Sequence, residues 1–254
     1  MESSGIAACI VACLRPQAER IQVAEVRIGL GYTAVLLADN RLGVAYTFRN
    51  MSRSGCSIFN GLRPLIKRPA SDLLTLLKSN DPIESAVGLA CANALANRDD
   101  GSFQNGDILD QIHLRSDDRV GMVGYFGPLI SKIKEQAESL TVFEQVEEPT
   151  DILQPTREAG QLLPRCQVVL ITATSIINHS IDILLKAAEN CREVAVLGAS
   201  TPLLPEAFAK EKVTILSGVV VKNPTEVLRV VSEGGGMRFF GPYLNKVCQR
   251  TDAA

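Results

Sequence analysis

The sequence is poor in the residues that usually build metal centres and acid–base pairs. Its 254 residues include no tryptophan and only two histidines, His113 and His179. The two histidines lie far apart and lack the short spacing of a zinc site, so a preformed structural zinc centre is not expected. The strings GxSxG and HExxH and the Walker glycine loop are also absent. The sequence therefore assigns no catalytic set, and His179, which adjoins Asn178 at a predicted helix start, is the better acid–base candidate.

An excess of one charge and long apolar runs are absent as well. Lysine and arginine number 26 and aspartate and glutamate 28, which gives a formal net charge of −2. That balance gives no reason to expect nucleic acid or an acidic membrane as a partner. No apolar run approaches the roughly 18 residues that a transmembrane helix needs. We therefore expect a globular protein with no nucleic-acid or membrane partner.

The cysteines are arranged unlike those of a disulfide framework or a zinc ribbon. There are seven, an odd number, and no two of them form a CxxC pair. Most lie in apolar segments and are expected to be reduced core residues of a cytoplasmic protein. Cys56 alone lies in a polar, glycine-containing loop, where we expect it to be exposed.

The first part of the chain predicts a small α+β domain over residues 1–117. Apolar residues at helical spacing predict a helix over residues 5–20. Alternating segments at 23–28, 33–37 and 43–48 predict an antiparallel three-stranded meander. Two helices follow, and the second is expected to open with a capping box that begins at Asp81.

A long irregular segment, residues 49–70, separates the meander from these helices. Loops of this length inside compact domains are usually functional or mobile. The segment is basic and contains Arg49, Arg53, Arg63, Lys67 and Arg68. These residues form either a solvated surface loop or a clamp for an anionic ligand.

Residues 118–254 predict a second domain, in which apolar strands alternate with helices. Strands are expected at residues 120–123, 141–143, 167–172, 193–197, 213–216 and 218–221. This alternation predicts a parallel sheet that helices cover on both faces. Its most informative segment is GMVGYFGP at 121–128, where a strand passes through a glycine turn into a helix that begins at Pro128. Such a turn presents backbone N–H groups to an anion.

Candidate binding residues follow from the positions of the strand ends. Open α/β sheets bind their ligands beyond the carboxyl ends of the strands. Glycine, aromatic, hydroxyl and amide residues collect there: Gly124, Phe126, Thr174, Ser175, Asn178, Ser200 and Thr201. Hydroxyl and N–H groups suit a phosphate, a carboxylate or a polar metal chelate. Asn178 and Thr201 could equally cap the helices that follow them.

Glu144 supports an alternative ligand. It ends the second strand of this domain, 20 positions after Gly124, where Rossmann domains often hold a ribose hydroxyl. This position suggests a nucleoside cofactor, S-adenosylmethionine or NAD. The glycine spacing, however, is GxxGxxG and not GxGxxG, so the nucleotide interpretation stays second.

Several phrases, taken together and in this order, resemble the putative heavy-metal-chelation family. They are GYTAV at 31–35, GVA at 43–45, VGYF at 123–126, TAT at 172–174 with Asn178, and STPL at 200–203. The resemblance implies an enolase N-terminal-like domain followed by a Rossmann-like domain, with a site between them. It also implies that Tyr32 and Thr33 close that site from the first domain.

These observations favour an α/β protein that binds a small polar ligand or a metal chelate in an interdomain cleft. A metal ion or metal chelate is preferred to S-adenosylmethionine or NAD, and whether a reaction is catalysed stays open. Asp107 and Asp110, three residues apart, either bind a hard cation or share one polar helix face. A homodimer is compatible with the sequence but not required by it.

Overall fold

The computed structural model describes residues 5–49, 58–98, 101 and 103–251. A small antiparallel sheet with helices comes first in the chain, and a larger, mostly parallel sheet follows. The elements of the first part are α1 (Ile6–Ala18), β1 (Val23–Ile28), β2 (Tyr32–Leu37), β3 (Leu42–Tyr46), α2 (Ala70–Leu74) and α3 (Pro82–Ala96). The three strands pair antiparallel in the order β1-β2-β3, as the alternating pattern predicts.

Helix α3 is the central element of the first part, because nearly every one of its residues is buried. Its start is capped by Asp81, whose carboxylate accepts hydrogen bonds from the N–H groups of Ile83 and Glu84 at 2.9 and 3.3 Å. The expected capping box is only half formed. The Glu84 carboxylate instead accepts from Ser79 Oγ at 2.6 Å and from the N–H of Phe59, so it ties the preceding loop to the helix.

The larger sheet and its helices follow. Their bounds are β4 (Gln104–Asn105), β5 (Arg119–Val123), α4 (Gly127–Gln136), β6 (Ser139–Glu144), β7 (Leu153–Pro155), α5 (Ala159–Leu162), β8 (Val168–Thr172), α6 (Thr174–Ile177), α7 (Ile181–Ala187), β9 (Glu193–Leu197), β10 (Ile215–Val221), α8 (Pro224–Ser232), α9 (Met237–Phe240) and β11 (Leu244–Arg250). The spatial order is β4-β11-β10-β9-β8-β5-β6-β7. The six strands from β5 to β10 are parallel and have the Rossmann order, in which the direction of winding reverses between β5 and β8.

Strand β8 shows why this sheet is covered on both faces. Val169 and Ile171 belong to a core shared with α3 and α7, whereas Val168 and Leu170 belong to a second core against α4. Successive side chains of a strand point to opposite faces, so an uninterrupted apolar strand buries both. The predicted α/β fold, a Rossmann-like sheet after a smaller α+β unit, is confirmed.

The edge of the large sheet differs from the expectation of purely parallel strands. The two runs expected at 213–216 and 218–221 form the single strand β10. Strand β11 pairs antiparallel with β10, and β4 pairs antiparallel with β11. Because β4 precedes residue 118, part of the predicted first domain contributes to this sheet. The boundary between residues 117 and 118 stays a prediction.

Asp118 lies at the start of β5 and is 1% exposed. Its carboxylate accepts a hydrogen bond from the N–H of Arg115 at 2.7 Å and pairs with the Arg192 guanidinium. Burial alone would raise the pKa of Asp118, but these hydrogen bonds and charges outweigh burial and hold that pKa below its ordinary value. Asp118 therefore ties the start of β5 to Arg192, the residue before β9. Within the described residues, no helix has the length and apolarity needed to cross a membrane.

Candidate functional site

A cavity of about 340 Å³ lies where the winding of the sheet reverses. Ligands of doubly wound sheets bind in the crevice at this reversal. The cavity is lined by residues from the ends of β5, β6 and β8 and from the segment after β3: Tyr46, Phe48, Arg49, Val123, Gly124, Tyr125, Phe126, Phe143, Glu144, Gln145, Thr156, Thr172, Thr174, Ser175, Asn178 and Ser180. The predicted residues Gly124, Phe126, Glu144, Thr174, Ser175 and Asn178 are therefore brought together.

Gly124 shapes the floor of the cavity. Its φ of +92° belongs to the region that favours glycine, and a Cβ there would lie 2.9 Å from Cβ of Thr172. The same Cβ would lie 3.5 Å from the Phe126 ring. The chain therefore turns closely past β8 before α4 begins at Gly127, and any larger residue at position 124 would push the turn away from β8.

Glu144 ends β6 and lies half-buried on the cavity wall. One carboxylate oxygen accepts a hydrogen bond from the N–H of Tyr125 at 2.8 Å, and the other accepts from the N–H of Gln145 at 3.1 Å. These bonds hold the glycine turn against β6. Each carboxylate oxygen has a second lone pair, so the group can also accept from a ligand.

The segment after β8 supplies hydroxyl groups. The hydroxyls of Thr172 and Thr174 lie 3.0 Å apart at the cavity wall. Ser175 is buried, and its hydroxyl donates to the carbonyl of Thr172 at 2.6 Å. Asn178 is not the N-cap of a helix. It follows α6, and its side-chain oxygen accepts from the N–H and hydroxyl of Ser180 at 3.1 and 2.7 Å.

The first part of the chain supplies an aromatic wall that the sequence did not indicate, next to Arg49 of the predicted basic segment. Tyr46 and Phe48 meet edge to face with ring centroids 5.1 Å apart, and Arg49 follows them. Tyr46 and Phe48 lie at the end of the strand predicted over residues 43–48, and that position was the signal available. Of the basic segment, Arg63 lies over the Phe59 ring, at 5.6 Å from its centroid, and Arg68 pairs with Asp72 at 2.8 Å. Arg53 lies outside the described residues, as does Cys56.

Ser200 and Thr201 lie where the large sheet contacts the first part of the chain, and they do not line this cavity. The Ser200 hydroxyl accepts from the N–H of Tyr46 at 2.9 Å. The carbonyl of Thr201 accepts from the side-chain amide of Asn97, which also donates to Val219 and accepts from the N–H of Leu203. Thr201 precedes the helical turn Pro205–Phe208 but does not cap it, because Leu204 occupies the cap position.

Tyr32 and Thr33 also lie outside this cavity. Thr33 is fully buried, and its hydroxyl lies 2.9 Å from that of Thr47. The Tyr32 ring packs edge to face on Tyr46 and Phe240, with centroids 6.0 and 5.2 Å apart. Burial, and secondly the nearby Tyr46, raise the pKa of Tyr32 to about 12. Tyr32 is therefore next to Tyr46, one of the residues that do line the cavity.

The remaining polar candidates have structural partners. His179 has a φ of +59°, and its Nε2 lies 2.8 Å from the carbonyl of Ser79 in the first domain. Asp107 and Asp110 form a capping box around the short helical turn Ile108–Asp110. This arrangement corresponds to the interpretation of a single polar turn.

Comparison with known sequences shows the family of this chain. Residues 107–249 match a family described as "Putative heavy-metal chelation", and residues 11–96 match a second family with the same description. The first match alone covers more than half of the chain, so the protein belongs to this family. An uncharacterised protein of Methanocaldococcus jannaschii is 24% identical over 226 residues, which cover 85% of each chain.

Two solved structures have the same fold. A protein of unknown function from the DUF364 family of Pyrococcus horikoshii has a TM-score of 0.84 at 24% identity and covers 97% of this chain and 100% of its own. A protein of unknown function from the same family of Desulfitobacterium hafniense has a TM-score of 0.82 at 23% identity and covers 97% of this chain and 98% of its own. At these identities the likeness shows the fold.

The residues of the cavity do not fit a heavy-metal ion that the protein would coordinate directly. Soft metals prefer thiolate and imidazole ligands. The described residues that line the cavity offer one carboxylate, from Glu144, together with hydroxyls and amides, and none is a cysteine or histidine. Across the described part of the chain, no three or more His, Cys, Asp or Glu side chains form a group that could hold a metal.

Proposed function

We propose that the protein binds a small polar organic ligand, alone or as the chelate of a heavy-metal ion, in the cavity between its domains. One observation carries this proposal: the reversal point of the sheet opens into a cavity of about 340 Å³ with polar strand ends on one side and Tyr46, Phe48 and Arg49 on the other. Ligand sites usually have volumes of about 300 to 1,000 Å³ and a few converging polar groups.

The chemistry of the wall favours an oxygen-rich ligand. The hydroxyls of Thr172 and Thr174 can donate or accept, Glu144 accepts, and the Arg49 guanidinium donates only. Because this set has no soft donor, a bound metal would bring its own ligands, and the protein would contact the organic part of the chelate. The metal is then cargo and not a centre built from side chains.

A nucleoside is the second candidate, and the position of Glu144 supports it. Strand β6 neighbours β5, the first strand of the Rossmann order, and Glu144 is its last residue. A carboxylate there can accept hydrogen bonds from ribose hydroxyls. It would reject a 2′-phosphate by charge repulsion.

Isothermal titration calorimetry with four probes would distinguish these ligands: Ni²⁺ alone, citrate alone, the nickel–citrate complex, and adenosine. We expect the complex or citrate to bind and Thr174→Val to weaken that binding, whereas Glu144→Gln should strengthen it, because the substitution removes a negative charge that repels the anionic ligand. Loss of one hydrogen bond should cost about 1–2 kcal/mol, or roughly 5- to 30-fold in affinity. Glu135→Gln, on the exposed surface of α4, is the matched control.

Binding of adenosine that depends on Glu144 would select the nucleoside. Binding of free Ni²⁺ that both cavity variants leave unchanged would contradict the proposal, because the ion would then be held elsewhere by side chains.

A further inference from the structure

A second cavity, of about 260 Å³, lies beyond the carboxyl end of β9 and beside the middle of β10. The Phe126 ring forms a wall common to both cavities. A Cβ at Gly198, whose φ is +116°, would lie 3.8 Å from that ring. The ring is therefore seated over two glycines, Gly124 and Gly198, and separates the two spaces.

The second cavity is much less polar than the first. Its walls include the buried side chains of Leu129, Leu197, Ala199 and Val219, together with the Tyr32 ring. Two aromatic rings, Phe126 and Tyr32, and a floor of aliphatic residues favour a flat apolar group, which gains by leaving water.

Charged groups stand at the rim of this cavity. Lys246 projects from β11 and is exposed, and Asp107 lies before the helical turn that it caps. Among the described residues, the Lys246 ammonium has no ion pair with Asp107 or any other carboxylate. Asp107 already accepts a hydrogen bond from the N–H of Leu109 at 3.3 Å. Lys246 is therefore the group left to receive an anionic partner.

Two further features favour an acidic ligand. The first residues of α4, a helix of ten residues, reach this cavity through Pro128 and Leu129, and the amino end of a helix carries partial positive charge. The Tyr32 hydroxyl makes no hydrogen bond to the described residues. Because burial raises the pKa of Tyr32 to about 12, that hydroxyl is a donor at neutral pH.

We propose that this second cavity binds a flat, largely apolar ring that carries one acidic substituent, with the ring against Phe126 and the acid toward Lys246. The proposal does not rest on the function of the first cavity, since the two linings share Phe126 alone and Lys246 belongs to the second.

The matched probes are 2-naphthoate and 2-naphthamide, which share a shape and differ in charge. Calorimetry on the full chain should show tighter binding of 2-naphthoate. Lys246→Gln should weaken 2-naphthoate roughly two- to five-fold, the range of a partly exposed ion pair, and leave 2-naphthamide unchanged. Asp107→Asn should tighten 2-naphthoate, because it removes a like charge and keeps a good helix cap.

Two variants outside the cavity serve as controls. Lys222→Gln removes the same charge from an exposed position just past β10, and Thr174→Val alters the first cavity. Neither should change the affinity for 2-naphthoate. Loss of binding in Thr174→Val alone would place the probe in the first cavity and overturn the proposal.

Ala199→Leu tests the space itself by filling the second cavity. We expect it to weaken both probes by at least roughly ten-fold, because the ring no longer fits. Thermal unfolding checks that the variant folds, and Met237→Trp, at the partly exposed edge of the cavity, replaces it if it does not. Affinities that stay unchanged in Lys246→Gln and in the filling variant would refute the second site.

Discussion

Two hydroxyl-rich segments follow neighbouring parallel strands of this protein and have different roles. After β8, Thr174 lines the first cavity, and its hydroxyl points to that of Thr172. After β9, Ser200 and Thr201 are buried under the first part of the chain, where the Ser200 hydroxyl accepts a hydrogen bond from the N–H of Tyr46 and the Thr201 carbonyl accepts one from the Asn97 side chain. The Thr174 hydroxyl thus stays beside the cavity, whereas the Ser200 hydroxyl is bonded to the first part of the chain.

The difference has a geometrical cause. Asn97 at the end of α3 bonds to β10, and Tyr46 at the end of β3 bonds to the segment after β9. At the crevice between β5 and β8, Tyr46, Phe48 and Arg49 instead form one wall of an open cavity. A buried unpaired polar group is costly, and the first part of the chain bonds to the Ser200 hydroxyl and the Thr201 carbonyl that it covers, although the Thr201 hydroxyl has no partner among the described residues. Polar groups beside the crevice stay available to a small molecule.

The largest effect on this comparison is expected from Asn97→Ala. Asn97 is 8% exposed, and its side chain bonds to the backbone of Thr201, Val219 and Leu203. Its removal leaves three buried backbone groups without a partner, so the free energy of unfolding should fall by about 3 kcal/mol. Urea unfolding followed by circular dichroism measures this loss.

Asn178→Ala is the control for that measurement. Asn178 is an exposed amide at the edge of the first cavity, and its loss should cost under about 1 kcal/mol. Equal losses of stability in the two variants would show that the segments after β9 and after β8 do not differ in the way proposed.

Ser200→Ala and Thr174→Val are expected to have smaller effects, and their ranking for loss of stability should be the reverse of their ranking for loss of ligand binding. Ser200→Ala leaves the N–H of Tyr46 without its acceptor and should reduce stability by about 1 kcal/mol. Thr174→Val should change stability by less than about 0.5 kcal/mol, since its hydroxyl is partly exposed. In calorimetry with nickel–citrate, however, Thr174→Val should weaken binding more than Ser200→Ala does. Reversed rankings would mean that ligand contacts lie after β9.

Much of the fold could be predicted from the sequence because its signals are local. The apolar strands of the Rossmann-like sheet, the meander and the glycine turn at Gly124 each follow from neighbouring residues. Strand β11 was missed for a local reason too: Leu244–Arg250 has the sequence LNKVCQR, which neither alternates strictly nor forms a continuous apolar run, and it lies beyond the last predicted helix. Such a half-exposed strand carries a weak pattern.

The sequence could not predict which of the polar residues at the strand ends line the cavity and which are covered, because this depends on contacts between distant residues. The strand ends placed Thr174 and Ser200 at one edge, but nothing local shows that Asn97 binds Thr201 across 104 positions. Tyr46 and Phe48 were missed for the same reason. They look like an ordinary strand end until the docking of the first domain places them opposite Glu144.

The smallest effect, and the one with the most informative sign, is expected from Thr201→Val. Thr201 is fully buried, and its hydroxyl oxygen has no hydrogen-bond partner among the described residues. Burying an unpaired hydroxyl is unfavourable, and valine has nearly the same shape. The variant should therefore be as stable as the natural protein or more stable by up to about 1 kcal/mol, as measured by urea unfolding. Thr33→Val is the contrasting control, because the Thr33 hydroxyl is equally buried but bonded to that of Thr47, so its loss should destabilise by about 1 kcal/mol. If Thr201→Val instead destabilises as much as Thr33→Val, the Thr201 hydroxyl has a partner. A further loss of nickel–citrate binding would identify that partner as the ligand and return the segment after β9 to the binding site.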